Sequence, residues 1–292
     1  MSAGETLGEV REVQLPDGRI RYRETSSGPT IVFLHGIVAN GYLWRNVVPE
    51  LAGGYRCITP DWPLGSHELG MGADTDFSLP GLASVVADFL AAIDLDDVTL
   101  VANDTGGAIA QFVAARHPER LARLVLTPCD AFDNFLPPVL RHLQLLGRTP
   151  VGLWLLGQTL RLRAIQQLPI AFGHLTVRPI DAKAMRSYTR PLATSSLVRR
   201  DFSKLVRAIS SKHTNQVAGE LHHFDKPAMV VWGLDDRLFP LVHGHRLARL
   251  LPQASLEVID DAGAFVTEDQ PQRVAALIGS FLTSTAAAAA SA

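Results

Sequence analysis

Apolar positions follow two rhythms along the chain. Glu9–Leu15 and Arg19–Glu24 alternate apolar with polar, and Pro16-Asp17-Gly18 between them is a turn signal. This predicts a β-hairpin. Thr30–Leu34 (TIVFL), Tyr55–Pro60, Val98–Ala102 (VTLVA) and Leu124–Thr127 are short, largely apolar runs. Runs apolar on both faces suit the buried strands of a parallel sheet. Between them the rhythm turns helical. Leu82–Ile93 places Leu82, Val85, Val86, Phe89, Leu90 and Ile93 on one stripe, with Pro80 near its start. Gly106–His117 is a second helix, stopped by Pro118. The alternation resumes late in the chain: strand Ala228–Trp232, helix Val242–Leu251, strand Ser255–Ile259, helix Gln272–Leu282. Strand and helix in turn predict an α/β fold on a mostly parallel sheet.

Asp133–Gly219 breaks this pattern. It holds no convincing strand, and its Leu-rich helical stretches (Val139–Leu146, Leu153–Ile165, Ser203–Ile209) are separated by Pro137-Pro138, Pro150, Pro169 and Pro191. An ordinary crossover needs one helix of ~10–15 residues, so this span predicts a helical insertion between two core strands. The expected organisation is core 1–132, insertion 133–219, core 220–282 and a low-complexity tail 283–292, read as a frayed helix extension. No internal repeat is visible.

Composition narrows the class. The chain has 292 residues, a formal charge of −2, 47% hydrophobic and 19% charged residues. That excludes a disordered chain and speaks against a nucleic-acid binder relying on phosphate contacts. No run approaches the ~18–20 apolar residues of a membrane span. The N-terminus lacks the apolar core of a secretory signal. Two cysteines, Cys57 and Cys129, build no disulfide scaffold and fit a reducing compartment, so a cytoplasmic location is expected. The net charge hides a division. Asp133–Gly219 carries 13 Lys+Arg against 3 acids, net +10, and the rest carries 14 against 26, net −12. Mutual attraction of two layers accounts for this, as does recruitment of an anionic, lipophilic substrate or partner.

The chemistry gathers at strand ends. Val101-Ala102-Asn103-Asp104-Thr105-Gly106-Gly107 follows an apolar run and opens a helix. This is the setting of a nucleophile elbow, where small residues two before and two after the nucleophile let the backbone close. Ala102 and Gly106 meet that need, with Asp104 in the nucleophile position. A carboxylate there attacks an sp3 carbon, such as one bearing a halide or an epoxide oxygen, and forms an ester. The plainer reading is an N-cap. The Thr105 amide supplies half of an oxyanion hole, and the loop after His35-Gly36 supplies the other amide, from Ile37. His35 reads as a structural hydrogen-bonding residue. In Trp232-Gly233-Leu234-Asp235-Asp236 the second acid stands where a triad acid is expected, and helix capping is its alternative. Asp130, just past the Leu124–Thr127 run, is a third acid. Convergence of Asp104, Asp130 and Asp236 in a dry pocket would raise at least one pKa. His142, His174, His222, His223, His243 and His245 are weak candidates for a base, since geometry must come first. No zinc spacing and no dinucleotide or phosphate loop is present, so no cofactor is expected.

Together these segments, with Tyr42-Leu43-Trp44-Arg45-Asn46, His117-Pro118-Glu119-Arg120 and Asp269-Gln270-Pro271, make the chain similar to the α/β-hydrolase fold superfamily over nearly its whole length. Its closest look is to the haloalkane dehalogenase and epoxide hydrolase branch, which uses an Asp nucleophile. The resemblance implies that Asp133–Gly219 is a helical cap. It implies that His35, Gly36, Ile37, Trp44, Thr105 and Tyr188 serve the oxyanion and substrate side of the site. It implies a small or medium apolar organic substrate; among partners, a homodimer is left open beside that small molecule. The departures are pointed. Ala264, in Ala262-Gly263-Ala264-Phe265, stands where the branch has its catalytic His. Thr105 and Ile37 replace the residues that hold a leaving halide, and Tyr188 is the insertion's one tyrosine where epoxide hydrolases use two. An Asp nucleophile without the His forms an ester but activates no water. Three readings stand open. One is a hydrolase with its His exchanged for Ala. Another is an enzyme using Asp104 as general acid or base in isomerisation, elimination or cyclisation. The last is a ligand-binding protein without turnover.

Overall fold

Every core strand expected from the apolar runs forms, and they join in one eight-stranded sheet. The structure is a computed structural model and describes residues 7–290; the N-terminal signal question and the last two tail residues lie outside them. The strands are β1 (Glu9–Leu15), β2 (Gly18–Thr25), β3 (Thr30–Leu34), β4 (Arg56–Pro60), β5 (Val98–Asp104), β6 (Leu121–Cys129), β7 (Ala228–Gly233) and β8 (Ala254–Ile259). Their order is β1-β2-β4-β3-β5-β6-β7-β8. β1 and β2 form the expected hairpin, and β2 meets β4 antiparallel. From β4 to β8 every pairing is parallel. β5 lies at the centre with all seven residues buried, which explains why its sequence is a continuous run rather than an alternation.

Eight helices of eight or more residues are present among the described residues. α1 (Leu79–Ala92) starts on a Ser78 N-cap with Pro80 in its first turn, and it buries the stripe from Leu82 to Leu90. α2 (Thr105–Arg116) follows β5 directly and ends ahead of Pro118. α3 (Pro150–Thr159), α4 (Ala182–Thr194), α5 (Ser196–Ala208) and α6 (Ser211–Ala218) lie between β6 and β7. α7 (Leu241–Leu250) and α8 (Pro271–Ala290) complete the core layers.

The span between β6 and β7 is helical, with elements that differ from those expected. Leu153–Ile165 is two pieces, α3 and a short helix at Arg163–Gln166. Ser203–Ile209 is the end of the longer α5. α4 was hidden by Pro191, which lies inside it near its end. The Ala-rich tail continues α8 as far as Ala290.

The helical segment is tied to the sheet layer by polar seams. Phe265 N–H donates to Leu175 O at 2.7 Å. The Asp269 carboxylate accepts from the amides of Val177, Arg178 and Gly263. Asp201 of α5 accepts from Met71 N–H and pairs with the buried His67 ring at 3.2 Å.

Candidate active site

Asp104 occupies the turn between β5 and α2 with φ 56° and ψ −134°. A non-glycine residue rarely holds this conformation, which carries strain of about 1–3 kcal/mol. The neighbours are shaped to permit it. A Cβ on Gly36 would lie 2.1 Å from Asp104 Oδ1, and one on Gly106 would lie 2.5 Å from His35 O. Side chains larger than hydrogen at either place would close the elbow.

The two amides expected as an oxyanion hole are in place, and here they hold Asp104 itself. Thr105 N–H donates to Oδ1 at 2.6 Å and Ile37 N–H to the same oxygen at 3.2 Å. Burial raises the Asp104 pKa above the usual carboxylate range, and these two amides oppose the rise.

Asp130 and Asp236 both stand near Asp104. The Thr105 hydroxyl donates to Asp130 Oδ2 at 2.7 Å, while Asp130 Oδ1 is buried without a hydrogen bond. Burial, and then the charge of Asp104, push Asp130 well above the usual range. Asp104 has two amide donors for its charge, whereas Asp130 Oδ1 has none, so burial acts on Asp130 with less opposition. Asp236 Oδ1 accepts from the amides of Leu238 and Phe239, at 2.8 and 2.9 Å, and its Oδ2 is buried and unpartnered. Burial and the Asp104 charge raise its pKa to about 7.

Ala264 is fully buried. Its carbonyl accepts from the side-chain amide of Asn103 at 2.9 Å, and Asn103 also donates to Pro128 O. Asp235 N–H donates to Ala262 O, which joins the Asp236 loop to the loop of Ala264. Asn103 thus fixes the loop that carries position 264, a role that sequence did not show because an Asn at the end of a strand has no distinctive spacing.

The remaining expected residues divide. Ile37, Val38 and Asp104 line a narrow cavity with Leu140, Leu143, Leu156, Leu160, Ile170 and Phe172 of the helical segment. The Leu-rich stretches foretold an apolar segment but not which leucines reach Asp104. The cavity volume is about 40 Å³, room for a few waters and far below the ~300–1,000 Å³ of ordinary ligand sites. His35 is fully buried, with Nδ1 at 2.9 Å from Gly36 O and Nε2 accepting from Trp62 N–H. Burial lowers its pKa to about 4, so the ring is neutral and both its nitrogens are taken up in these contacts.

Trp44 and Tyr188 are not brought to the cavity. Trp44 is fully buried against Phe33, ring centroids 4.8 Å apart, so its size serves the core. Tyr188 donates its hydroxyl to Glu268, which forms a two-pronged ion pair with Arg45 at 2.7 Å on both arms. It closes a buried polar seam between α4 and the core instead of facing a substrate.

Comparison with known proteins agrees with this architecture. Residues 29–271 match the family model of the α/β-hydrolase fold, and the chain belongs to that family. It is 26% identical over 283 residues to a cis-3-alkyl-4-alkyloxetan-2-one decarboxylase of Shewanella oneidensis, covering 91% of this chain and 86% of that one. A haloalkane dehalogenase of Mesorhizobium japonicum is 37% identical over 134 residues, 46% of this chain and 41% of the other. Among solved structures, a haloalkane dehalogenase described as ancestral superposes with a TM-score of 0.78 at 23% identity, covering 95% and 99% of the two chains. An epoxide hydrolase superposes with a TM-score of 0.79 at 19% identity, covering 94% and 98%.

Proposed function

We propose that the protein is an enzyme acting on a small or medium apolar organic molecule through Asp104, without hydrolysing it. The helical segment 133–219 is then the cap over the site, and the core is 1–132 with 220–282. The observation that carries this reading is the strained elbow of Asp104. Its carboxylate rests on two amides and borders an apolar cavity, with alanine at the position of the family's water-activating histidine. Asp104 takes a proton from the bound substrate and returns it elsewhere on the product or, in an elimination, hands it to the departing group. Isomerisation, elimination and cyclisation all fit this use. Asp236, with a pKa near neutrality, supplies a second proton-holding group. The buried free thiols Cys57 and Cys129 support a reducing, cytoplasmic setting.

One observation favours a covalent alternative. The amides on Oδ1 would sit on the carbonyl oxygen of an ester if the other carboxylate oxygen attacked carbon and displaced a halide, or opened a strained ring onto its own oxygen. Without a base at 264, that ester would persist.

Intact mass of the full chain after incubation with epoxides, haloalkanes and β-lactones separates the readings. Acid–base use of Asp104 predicts turnover or binding with no mass increase. A stable adduct at Asp104, released after Ala264→His, would establish the covalent reading. Asp104→Asn should lower any turnover by a factor on the order of 10³ or more. Activity surviving that change would remove Asp104 from the chemistry in either reading.

A further inference from the structure

The largest contrast near the site is between two neighbouring spaces. The cavity at Asp104 holds about 40 Å³, whereas a cleft on the helical segment holds about 530 Å³. Phe172 lines both. The cleft is walled by Arg161, Arg163, Arg178 and Arg186, over an apolar floor that includes Ile180 and Met185. No carboxylate lines it among the described residues.

Two of the four guanidinium groups already have partners. Arg178 pairs with Asp261, and Arg161 donates to the Gln158 side chain. Arg163 and Arg186 make no side-chain hydrogen bond or ion pair among the described residues, and both are exposed. Uncompensated guanidinium groups around a concave, partly apolar space concentrate positive potential there. Arginine also presents donors in a fork that fits carboxylate, phosphate or sulfonate. The apolar side of the match is visible at the rim, where Leu162, Ile170 and Val177 are 58%, 51% and 46% exposed. Ile170 also borders the cavity at Asp104.

We propose that this cleft binds the anionic head of an amphipathic molecule whose apolar tail passes Phe172 toward Asp104. The proposal rests on the reading of Asp104 as the reactive group only for the direction of the tail. Head recognition stands on the cleft alone. The ligand class is an alkyl chain bearing one carboxylate, phosphate or sulfonate. The head is drawn by the net +10 of residues 133–219, and the tail is matched to the leucines around Asp104.

The test is calorimetric binding of octanoate and of octan-1-ol, two probes of equal chain length and different charge, to the full chain. Octanoate should bind at least about tenfold more tightly at low salt, and half-molar salt should erase most of that difference. The double variant R163Q/R186Q should lose the octanoate preference and keep octanol affinity. Equal binding of the two probes, insensitivity to salt, or unchanged octanoate affinity in the double variant would each overturn the proposal. The two salt arms need no variant, so a folding defect cannot mask the answer. Cosedimentation with phosphatidylglycerol and phosphatidylcholine vesicles identifies the source of the head. Retention on the anionic vesicles alone, lost in R163Q/R186Q, supports the site with a lipid headgroup. Octanoate binding without vesicle retention supports it with a free anion. Binding of octanoate by Asp104→Asn at native affinity would keep the cleft even where the chemistry assigned to Asp104 fails.

Discussion

The sheet layer and the helical segment solve opposite problems. Around β5 the chain hides almost everything, including the carboxyl groups of Asp104 and Asp130 and a strained elbow. In residues 133–219, nine large apolar side chains stand exposed, from Leu145 to Leu197, against four in the rest of the described chain. The core is net acidic and the segment net basic. A fixed reactive group needs neighbours that cannot yield, because strain and raised pKa values persist only where packing over-determines them. A surface that receives ligands needs unspent contacts, and exposed apolar and unpaired cationic groups are such contacts. Where the two parts meet at Asp104 they leave about 40 Å³, less than a ligand of ordinary size fills.

That seam is the place to break the comparison most strongly. Arg45→Met leaves Glu268 buried with Tyr188 as its remaining side-chain partner. Removing one member of a buried pair costs about 3–5 kcal/mol, so urea unfolding should show a loss of that order. A loss below about 1 kcal/mol would mean that the pair does not hold the segment down.

The acidic side is sharpened by pH. The folded pKa of Asp236 is raised to about 7, so the folded state binds more protons than the unfolded state between about pH 4 and 7. Stability is then greatest at the acidic end of that window and falls as pH rises through 7. Asp104 and Asp130, also raised, add in the same direction. Asp236→Asn keeps an oxygen for the Leu238 and Phe239 amides and removes the charge. It should flatten the fall by about 2–4 kcal/mol. A denaturation series showing equal slopes for both proteins would return Asp236 to an ordinary carboxylate.

The smallest effect is expected on the basic side. Trp154 is 48% exposed on α3, and Trp154→Ser should change stability by no more than about 0.5 kcal/mol. A large loss by thermal melting would show that the exposed apolar set is structural and not a receiving surface.

The core was legible because its strands are buried on both faces and therefore written as unbroken apolar runs. The same holds for the elbow. A tight strand-to-helix turn demands Ala102 and Gly106 around Asp104, and the chain spells this out locally. The helical segment was legible as an insertion but not in its parts. Pro191 masked α4 because a proline near a helix end costs less than one in its middle, and sequence alone does not say which it is. Trp44 and Tyr188 were misplaced for a related reason. A large side chain with a polar edge suits a substrate pocket, a core or a buried seam, and its neighbours decide.

By itself, then, the sequence determined the class of fold, the strand-to-helix turn that carries Asp104 and the alanine at 264, since these follow from local geometry and residue type. The tertiary structure decided what those residues became. It turned the expected oxyanion hole onto Asp104's own oxygen and raised Asp236 to about 7 by burying it near that charge. It also gathered four arginines, separated along the chain, into one cleft beside Phe172. Electrostatic energies depend on burial and distance between groups far apart in sequence, and no local pattern encodes those.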